Sequence, residues 1–218
     1  MIRGSLIGSR FDNATFDNYR VTPENQRAYD ACKDVRDGKS LGIVLTGKAG
    51  VGKTHLLVAL AREFGKPREA KQEEEMRVPS IKELMAMAED VPVDASPVLL
   101  DASEMTREPK VEWWPVADLV RELRNAVKTG ESDVSERCRT CDLLILDDFG
   151  QERNTEFTTE ELDGITDWRY RDQKAIAIST GLTIDEIRAK YGDRGISRWS
   201  QQCRIVSVGG ADQRARRE

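Results

Sequence analysis

A glycine-rich segment between an apolar run and a helix-forming run constrains the fold of this 218-residue chain more than any other feature. The sequence GKAGVGKT at residues 47–54 matches the phosphate-binding pattern G-x-x-x-x-G-K-[ST] at every fixed position. The apolar run at residues 41–45 predicts a buried strand before it, and residues 55–60 predict the opening of a helix after it. The sequence therefore predicts a P-loop, in which strand, loop and helix together hold a phosphate group.

Each part of this loop has a physical role in binding a nucleotide. Glycine lets the backbone wrap closely around phosphate oxygens, and the helix N-terminus adds a partial positive charge at the same place. Lys53 is expected to reach the β- and γ-phosphates, and the Thr54 hydroxyl to ligate Mg²⁺. The predicted nucleotide-binding residues are Gly47, Lys48, Ala49, Gly50, Val51, Gly52, Lys53, Thr54 and His55.

A second motif predicts the hydrolytic half of the site. The apolar residues 143–146 are followed directly by Asp147 and Asp148. Such a run suits a central parallel strand, and the carboxyl ends of these strands are where open α/β sheets bind ligands. We expect Asp147 to share Mg²⁺ with Thr54 and Asp148 to polarise the attacking water, so Lys53, Asp147 and Asp148 are candidate catalytic residues.

The bulk composition limits the class of protein. A formal net charge of −5 means that contact with nucleic acid would need a local basic patch. There is no apolar run of membrane-helix length and no signal-peptide core, which favours a cytoplasmic protein without a membrane partner. Cys138 and Cys141 form a C-x-x-C pair, but no second pair follows and His55 is the single histidine, so reduced, partly buried thiols are expected.

Strands and helices alternate along the rest of the chain, which predicts an α/β fold with a central parallel sheet flanked by helices. Thr22 is predicted to cap a helix that begins at Pro23. Further helices are predicted at residues 116–127, 158–170 and from 183, and further strands at residues 97–101, 175–178 and 205–208. A charged insert is predicted at about residues 66–96, and residues 104–115 are predicted to be irregular.

Five sequence elements, in this order, resemble the AAA+ ATPases of the DnaC/IstB family, which are bacterial helicase loaders and transposition helpers. They are FDNY at 16–19, TPENQ at 22–26, the P-loop with His55-Leu56, DDFG at 147–150 and GDRGISR at 192–198. The resemblance implies a P-loop NTPase of AAA+ type with little or no separate lid domain. It also implies that residues 1–40 form a lead-in and helix packed on the ATPase core, and that residues 41–218 form that core.

The resemblance further implies a nucleotide-dependent homo-oligomer. Arg198 matches the arginine of the family's S-R motif, which resembles an arginine finger acting on a neighbour's ATP, and Arg194 is expected to share that role. Arg214 matches the family's C-terminal nucleotide-sensing arginine. These three arginines complete the candidate site.

The family usually carries an asparagine after the strand that follows the paired acids, where it positions the attacking water. The aligned residue here is Gly181, which has no side chain to donate a hydrogen bond. Thr180 or Ser179 would then have to substitute. Slow hydrolysis, with ATP acting mainly as a switch, is the expected consequence.

The leading functional hypothesis is an ATPase with ATP/ADP and Mg²⁺ as ligands that loads or remodels a replicative DNA helicase, with single-stranded DNA as a further partner. The alternatives are an IstB-like transposition helper that binds duplex DNA and a non-hydrolysing ATP-switched adaptor. A GTPase or small-molecule kinase is disfavoured because the guanine-reading motif N-K-x-D is absent. Trp113 and Trp114 either stack on DNA bases or cap the sheet. Residues 66–77 either extend a helix or dock a partner, and residues 169–171 form a basic-aromatic cluster.

Overall fold

A six-stranded parallel sheet forms the centre of the chain in the computed structural model, which describes residues 2–66, 107–130 and 133–213. Almost all of the predicted insert at 66–96, the predicted strand at 97–101 and Arg214 lie outside these residues. The strands are β1 Ile2–Gly4, β2 Gly42–Thr46, β3 Val111–Pro115, β4 Leu143–Phe149, β5 Ala175–Thr180 and β6 Arg204–Ser207. Their spatial order is β1-β3-β4-β5-β2-β6, and every described pair is parallel.

Seven α-helices flank this sheet among the described residues. They are α1 Gln26–Arg36, α2 Lys53–Glu63, α3 Val116–Thr129, α4 Val134–Thr140, α5 Glu156–Arg171, α6 Ile184–Tyr191 and α7 Asp193–Gln202. The capping box that was predicted to begin a helix at Thr183 is present, because the Thr183 hydroxyl accepts from the Glu186 amide and the Glu186 carboxylate accepts from the Thr183 amide. None of the described helices is long and apolar enough to span a bilayer.

The register of the sheet brings the ends of three strands to one level. Thr46 at the end of β2 lies opposite Thr180 of β5, and Phe149 at the end of β4 lies opposite the same Thr180. The loops that follow β2, β4 and β5 therefore leave one edge of the sheet side by side. In open parallel sheets this edge is where ligands bind.

The sheet is covered on both faces by apolar side chains, as near-continuous apolar strands predict. Ile43, Leu45 and Ile145 pack with α1 and α2 on one face, whereas Leu144 and Leu146 pack with α3, α5 and α7 on the other. The lead-in residues Phe16 and Tyr19 are buried in the first of these clusters.

The prediction of an irregular segment around Trp113 and Trp114 is wrong, because these residues lie in β3. Their alternating side chains enter opposite cores, where they are only 2% and 5% exposed. Neither ring is accessible for stacking on DNA bases. The indole N–H of Trp114 donates to the buried Glu112 carboxylate at 3.0 Å, which satisfies its polar atom inside the core.

The predicted start of the first helix is also wrong. Residues 23–25 form a turn, and the helix begins at Gln26 with Asn25 as its N-cap residue. The Asn25 side chain accepts from the Thr22 amide at 2.8 Å and donates to the Arg20 carbonyl at 3.1 Å. These bonds stabilise a non-helical turn that spacing alone does not reveal.

Candidate nucleotide site

The loop between β2 and α2 has the backbone geometry of a phosphate cradle. Gly47 and Gly52 have φ angles of 143° and 103°, in the region where side chains are strained. A Cβ at Gly47 would lie 2.5 Å from the Val208 carbonyl oxygen, and one at Gly52 would lie 2.9 Å from the Tyr19 ring. Only glycine fits at these two positions, so the observed loop requires the residues that the motif supplies.

Lys53 begins α2 and turns its side chain back into the loop. Its ammonium group donates to the carbonyl oxygens of Gly47 at 2.6 Å and Lys48 at 2.8 Å, and the residue is only 7% exposed. The helix N-terminus lies at the same place, so the loop concentrates positive potential. An anionic phosphate group is the ligand that this environment favours.

Thr54 and Asp147, which are 93 residues apart in sequence, meet at the ligand edge of the sheet. The Thr54 hydroxyl donates to the Asp147 carboxylate at 3.3 Å. The Ser179 hydroxyl from β5 donates to the same carboxylate oxygen. Hydroxyl and carboxylate oxygens are the ligand types that Mg²⁺ prefers, so this donor set fits the predicted cation.

Burial sets the electrostatics of this carboxylate. Asp147 is 6% exposed, and desolvation raises its pKa above the ordinary value, with a smaller contribution from the neighbouring Asp148 charge. The hydrogen bonds from Ser179 and Thr54 act in the opposite direction and lower the pKa. A bound divalent cation would compensate the buried negative charge.

Asp148 has a different environment from its neighbour. It is exposed, and its φ of 53° is in the left-handed region, which aspartate tolerates better than most side chains. The strand register shifts between Leu146 and Phe149, and the Asp148 amide donates to the Ser179 hydroxyl at 3.0 Å. This irregularity turns the second acid toward solvent while the first remains in the core.

A cavity of about 410 Å³ adjoins the P-loop. It is lined by Arg20, Thr22, Glu24, Asn25 and residues 210–213. The C-terminal part of this lining is attached to the P-loop, because the Gln213 amide donates to the Gly50 carbonyl at 3.0 Å. Arg214, the predicted nucleotide-sensing arginine, follows immediately but lies outside the described residues.

The predicted arginine finger is held by a carboxylate of its own chain. Arg198 on α7 contacts Asp167 on α5 at 2.5 Å, and its side chain is 18% exposed. Asp167 also contacts Arg171 at 3.0 Å. The role of Arg198 in a neighbouring site stays a prediction, as does that of Arg194, whose side chain lies outside the described set. Sequence reasoning missed Asp167 because nothing in the spacing links it to Arg198.

His55, in the first turn of α2, connects the P-loop helix to the lead-in. Its Nε2 lies 2.9 Å from the Thr15 carbonyl oxygen and 3.0 Å from the Asn18 side-chain oxygen. Because both neighbours are acceptors, Nε2 carries the hydrogen. Burial lowers the pKa of His55, so the neutral ring is favoured. The described contacts of His55 are thus those of a structural residue beside the nucleotide site.

The C-x-x-C pair lies in a second buried polar cluster. All four cysteines are reduced and buried, and the described residues contain no group of three or more His, Cys, Asp or Glu side chains that could hold a metal. Arg169, which belongs to the basic-aromatic cluster at residues 169–171, is fully buried and donates to the carbonyls of Cys138 at 2.8 Å and Cys141 at 3.0 Å. Its guanidinium caps the C-terminal end of α4 and is inaccessible to DNA.

Known proteins resemble this chain in sequence. No family model matches the chain. It is 25% identical over 201 residues to the replicative helicase loader DnaI of Bacillus subtilis (strain 168), covering 89% of this chain and 51% of that protein. It is 21% identical over 195 residues to the replicative helicase loader DnaC of Escherichia coli (strain K12), covering 85% of this chain and 62% of that protein. The chain thus spans less than two thirds of the length of these relatives.

Solved structures share the fold. The crystal structure of the DnaC helicase loader has a TM-score of 0.67 at 18% identity, covering 92% of this chain and 99% of that chain. The replication initiator DnaA bound to AMPPCP and single-stranded DNA has a TM-score of 0.66 at 21% identity, covering 92% of this chain and 51% of that chain. The predicted fold class, a P-loop NTPase fold of AAA+ type, is confirmed, and so is the resemblance to the DnaC-type proteins.

Proposed function

We propose that this chain, an AAA+ fold similar in sequence to the DnaC and DnaI helicase loaders, binds and hydrolyses ATP to load or remodel a replicative helicase during DNA replication. The main observation in support of an ATP site is the 3.3 Å hydrogen bond between Thr54 and Asp147, which brings the P-loop next to the acidic end of β4. Similarity to two replicative helicase loaders over 85–89% of the chain supports the biological role.

Each residue of the proposed ATP site has a distinct role. The loop amides and Lys53 would bind and orient the phosphates, and Thr54 with Asp147 would hold Mg²⁺, which neutralises phosphate charge. Asp148, exposed beside them, would accept a hydrogen bond from the attacking water. That water's oxygen bonds to the γ-phosphorus, the bond to the β–γ bridging oxygen breaks, and ADP, phosphate and a proton leave.

The cavity beside the P-loop suits the nucleoside part of the ligand. Its volume of about 410 Å³ is within the range of small-molecule sites, and its lining residue Gln213 is bonded to Gly50 of the P-loop. Glu24 and Asn25 are among its lining residues, and the nucleotide-sensing role of Arg214 stays a prediction from the sequence. The replication initiator DnaA, which shares this fold, is bound to the ATP analogue AMPPCP in its structure.

Gly181 favours a second candidate, an adaptor in which ATP binding alone is the signal. Both candidates require ATP binding, but only the first requires turnover. The first experiment is therefore ATP and GTP binding followed by steady-state ATP hydrolysis, with and without single-stranded DNA. Preference for ATP with turnover supports the loader, preference for ATP without turnover supports the adaptor, and no nucleotide binding contradicts both.

The partner is tested separately. We expect the chain with ATP to retain a hexameric replicative helicase in a pull-down and to promote its transfer onto single-stranded DNA. Lys53→Ala, which removes the phosphate-binding cation, should abolish the nucleotide dependence of this transfer. Retention of a transposase and of duplex DNA instead would contradict the loader and support the transposition helper.

A further inference from the structure

The position just beyond β5 lies between the phosphate cradle and the two acids. Thr180, the last residue of β5, is level with Thr46 before the P-loop and with Phe149 after the acids. Residue 181, which follows Thr180, therefore lies where a side chain could orient the attacking water. Because residue 181 is glycine, its own side chain cannot do this.

The two hydroxyls that precede Gly181 do not replace the missing group. The Ser179 hydroxyl donates to the Asp147 carboxylate and accepts from the Asp148 amide. The Thr180 hydroxyl donates to the Phe149 carbonyl at 2.8 Å and accepts from the Leu182 amide at 3.0 Å. A hydroxyl has one hydrogen to donate, and both of these hydrogens are used within the protein.

The carboxamide of Gln151 approaches this position from the loop that follows the neighbouring strand β4. A Cβ added at Gly181 would lie 3.8 Å from Nε2 of Gln151, in ordinary van der Waals contact. The chain reaches this point by a tight turn, in which the Gln151 amide donates to the Asp148 carbonyl at 3.2 Å. Gly150 has a φ of 95° in this turn, which suits the third position of a type II turn.

The residues on both sides of Gln151 are anchored. The Gly150 amide donates to the buried Glu152 carboxylate at 2.9 Å, and the Gly150 carbonyl accepts from the Lys190 ammonium at 2.6 Å. Lys190 also donates to the Glu152 carbonyl at 3.1 Å. Gln151 itself is exposed. The loop therefore holds one accessible carboxamide, three residues from Asp148, between two fixed neighbours.

We propose that Gln151 is the water-orienting residue of this site and supplies, from the loop after β4, the carboxamide that Gly181 cannot supply from the end of β5. Its Oε1 would accept from the attacking water and its Nε2 would donate to a γ-phosphate oxygen. The inference rests on the proposed ATPase activity and deepens it. If Gln151 orients the water, the missing side chain at Gly181 no longer favours an adaptor that binds ATP without hydrolysing it.

The test compares Gln151→Ala with Gln26→Ala, the same truncation at an exposed glutamine whose amide contacts Asp30 at 2.9 Å on α1. Steady-state hydrolysis is measured together with affinity for ATPγS and for ADP with aluminium fluoride, which mimics the transition state. We expect Gln151→Ala to lower kcat about 10- to 100-fold and to weaken the aluminium fluoride complex by a similar factor, with ATPγS affinity unchanged. Gln26→Ala should match the wild type in all three measurements.

A rescue variant separates a chemical role from a structural one. Gly181 has no positive φ, and among the described residues, apart from its chain neighbours, an added Cβ would meet only Gln151 within 4 Å, so the backbone can accept asparagine there. Gln151→Ala combined with Gly181→Asn should regain kcat and aluminium fluoride affinity. Wild-type kcat and aluminium fluoride affinity in Gln151→Ala would overturn the inference and leave the ATPase proposal intact, and so would failure of the rescue in a folded double variant. A wild type that binds no nucleotide would overturn the proposed function, and the inference with it.

Discussion

At the scale of single residues, the two adjacent acids show how the backbone separates two roles. Asp147 is 6% exposed and accepts hydrogen bonds from Thr54 and Ser179, whereas Asp148, within the shift in strand register between Leu146 and Phe149, is exposed. The first environment suits a metal ligand and the second suits contact with water. The adjacent acids Asp147 and Asp148 were both predicted from the sequence. Only the shift in strand register, which the structure shows, distinguishes their roles.

Because the Asp147 charge is buried, Asp147→Asn should raise the stability of the chain and abolish its function. Desolvation raises its pKa in the folded chain, so the ionised group opposes folding at neutral pH. Asp147→Asn keeps an oxygen that can accept from Thr54 and Ser179, and should raise the Tm by a few degrees without Mg²⁺ or nucleotide, at about 2–4 °C per kcal/mol. It should also abolish hydrolysis.

Thermal unfolding and ATP turnover check this prediction, with Asp148→Asn as the matched control. Asparagine tolerates the left-handed backbone at that position, and the site is exposed, so its Tm should stay near that of the wild type. A lower Tm for Asp147→Asn would show that the charge is stabilising, contrary to the desolvation argument.

At the scale of elements, the contact between the lead-in and α2 depends on a neutral imidazole. His55 Nε2 faces the oxygens of Thr15 and Asn18, and the ring lies 5.2 Å from that of Tyr19. Burial is the largest cause of its lowered pKa, and the nearby Arg62 charge acts in the same direction. This contact joins the lead-in to the P-loop helix, so its strength affects the nucleotide site.

The single histidine predicts a specific pH dependence of stability. Because the pKa of His55 is lower in the folded chain than its ordinary value of 6.5, the unfolded chain binds more protons below about pH 7. The free energy of unfolding should therefore fall as the pH is lowered from 7.5 to 5.5. His55→Gln, whose amide can still donate to Thr15, should show a smaller fall, measured by urea unfolding at both pH values. An equal fall in both proteins would contradict a role for His55.

Which elements could be predicted from sequence follows from how local their signals are. The P-loop, β4 and the capping box at Thr183 were predicted because residues close in sequence determine each of them. β3 was missed because two tryptophans and a proline at residues 113–115 do not look like a buried strand until its neighbours are in place. The proximity of the Gln151 carboxamide to Gly181 depends on two loops that no sequence pattern connects.

At the scale of the whole molecule, the proposal of a shared site between subunits rests on Arg198. In this chain Asp167 holds Arg198 and Arg171 together, with side-chain exposures of 18% and 68% for the two arginines. Both pairs are partly solvated, so either arginine contributes about 1 kcal/mol or less to stability through its ion pair. A role in hydrolysis is a separate property that only one of the two should have.

The role of Arg198 is therefore tested by comparing two variants, each of which removes one of the two arginines that contact Asp167. Arg198→Ala should lower ATP turnover on the order of 10³-fold, because an arginine finger stabilises the charge on the transferred phosphoryl group. Arg171→Ala should retain turnover, and both should bind ATP like the wild type. Turnover per chain should rise with protein concentration in the wild type. Equal losses in the two variants would point to Asp167 packing instead of a finger.

The most direct test of the whole account is the affinity for ATP, with and without Mg²⁺, of the wild type and of Thr54→Val. Valine preserves the shape of the side chain and removes the hydroxyl that meets Asp147 at 3.3 Å. We predict that Mg²⁺ tightens ATP binding to the wild type and has little effect on the variant. A wild type that binds ATP equally with and without Mg²⁺, or does not bind it, would contradict a metal–nucleotide site at this edge of the sheet.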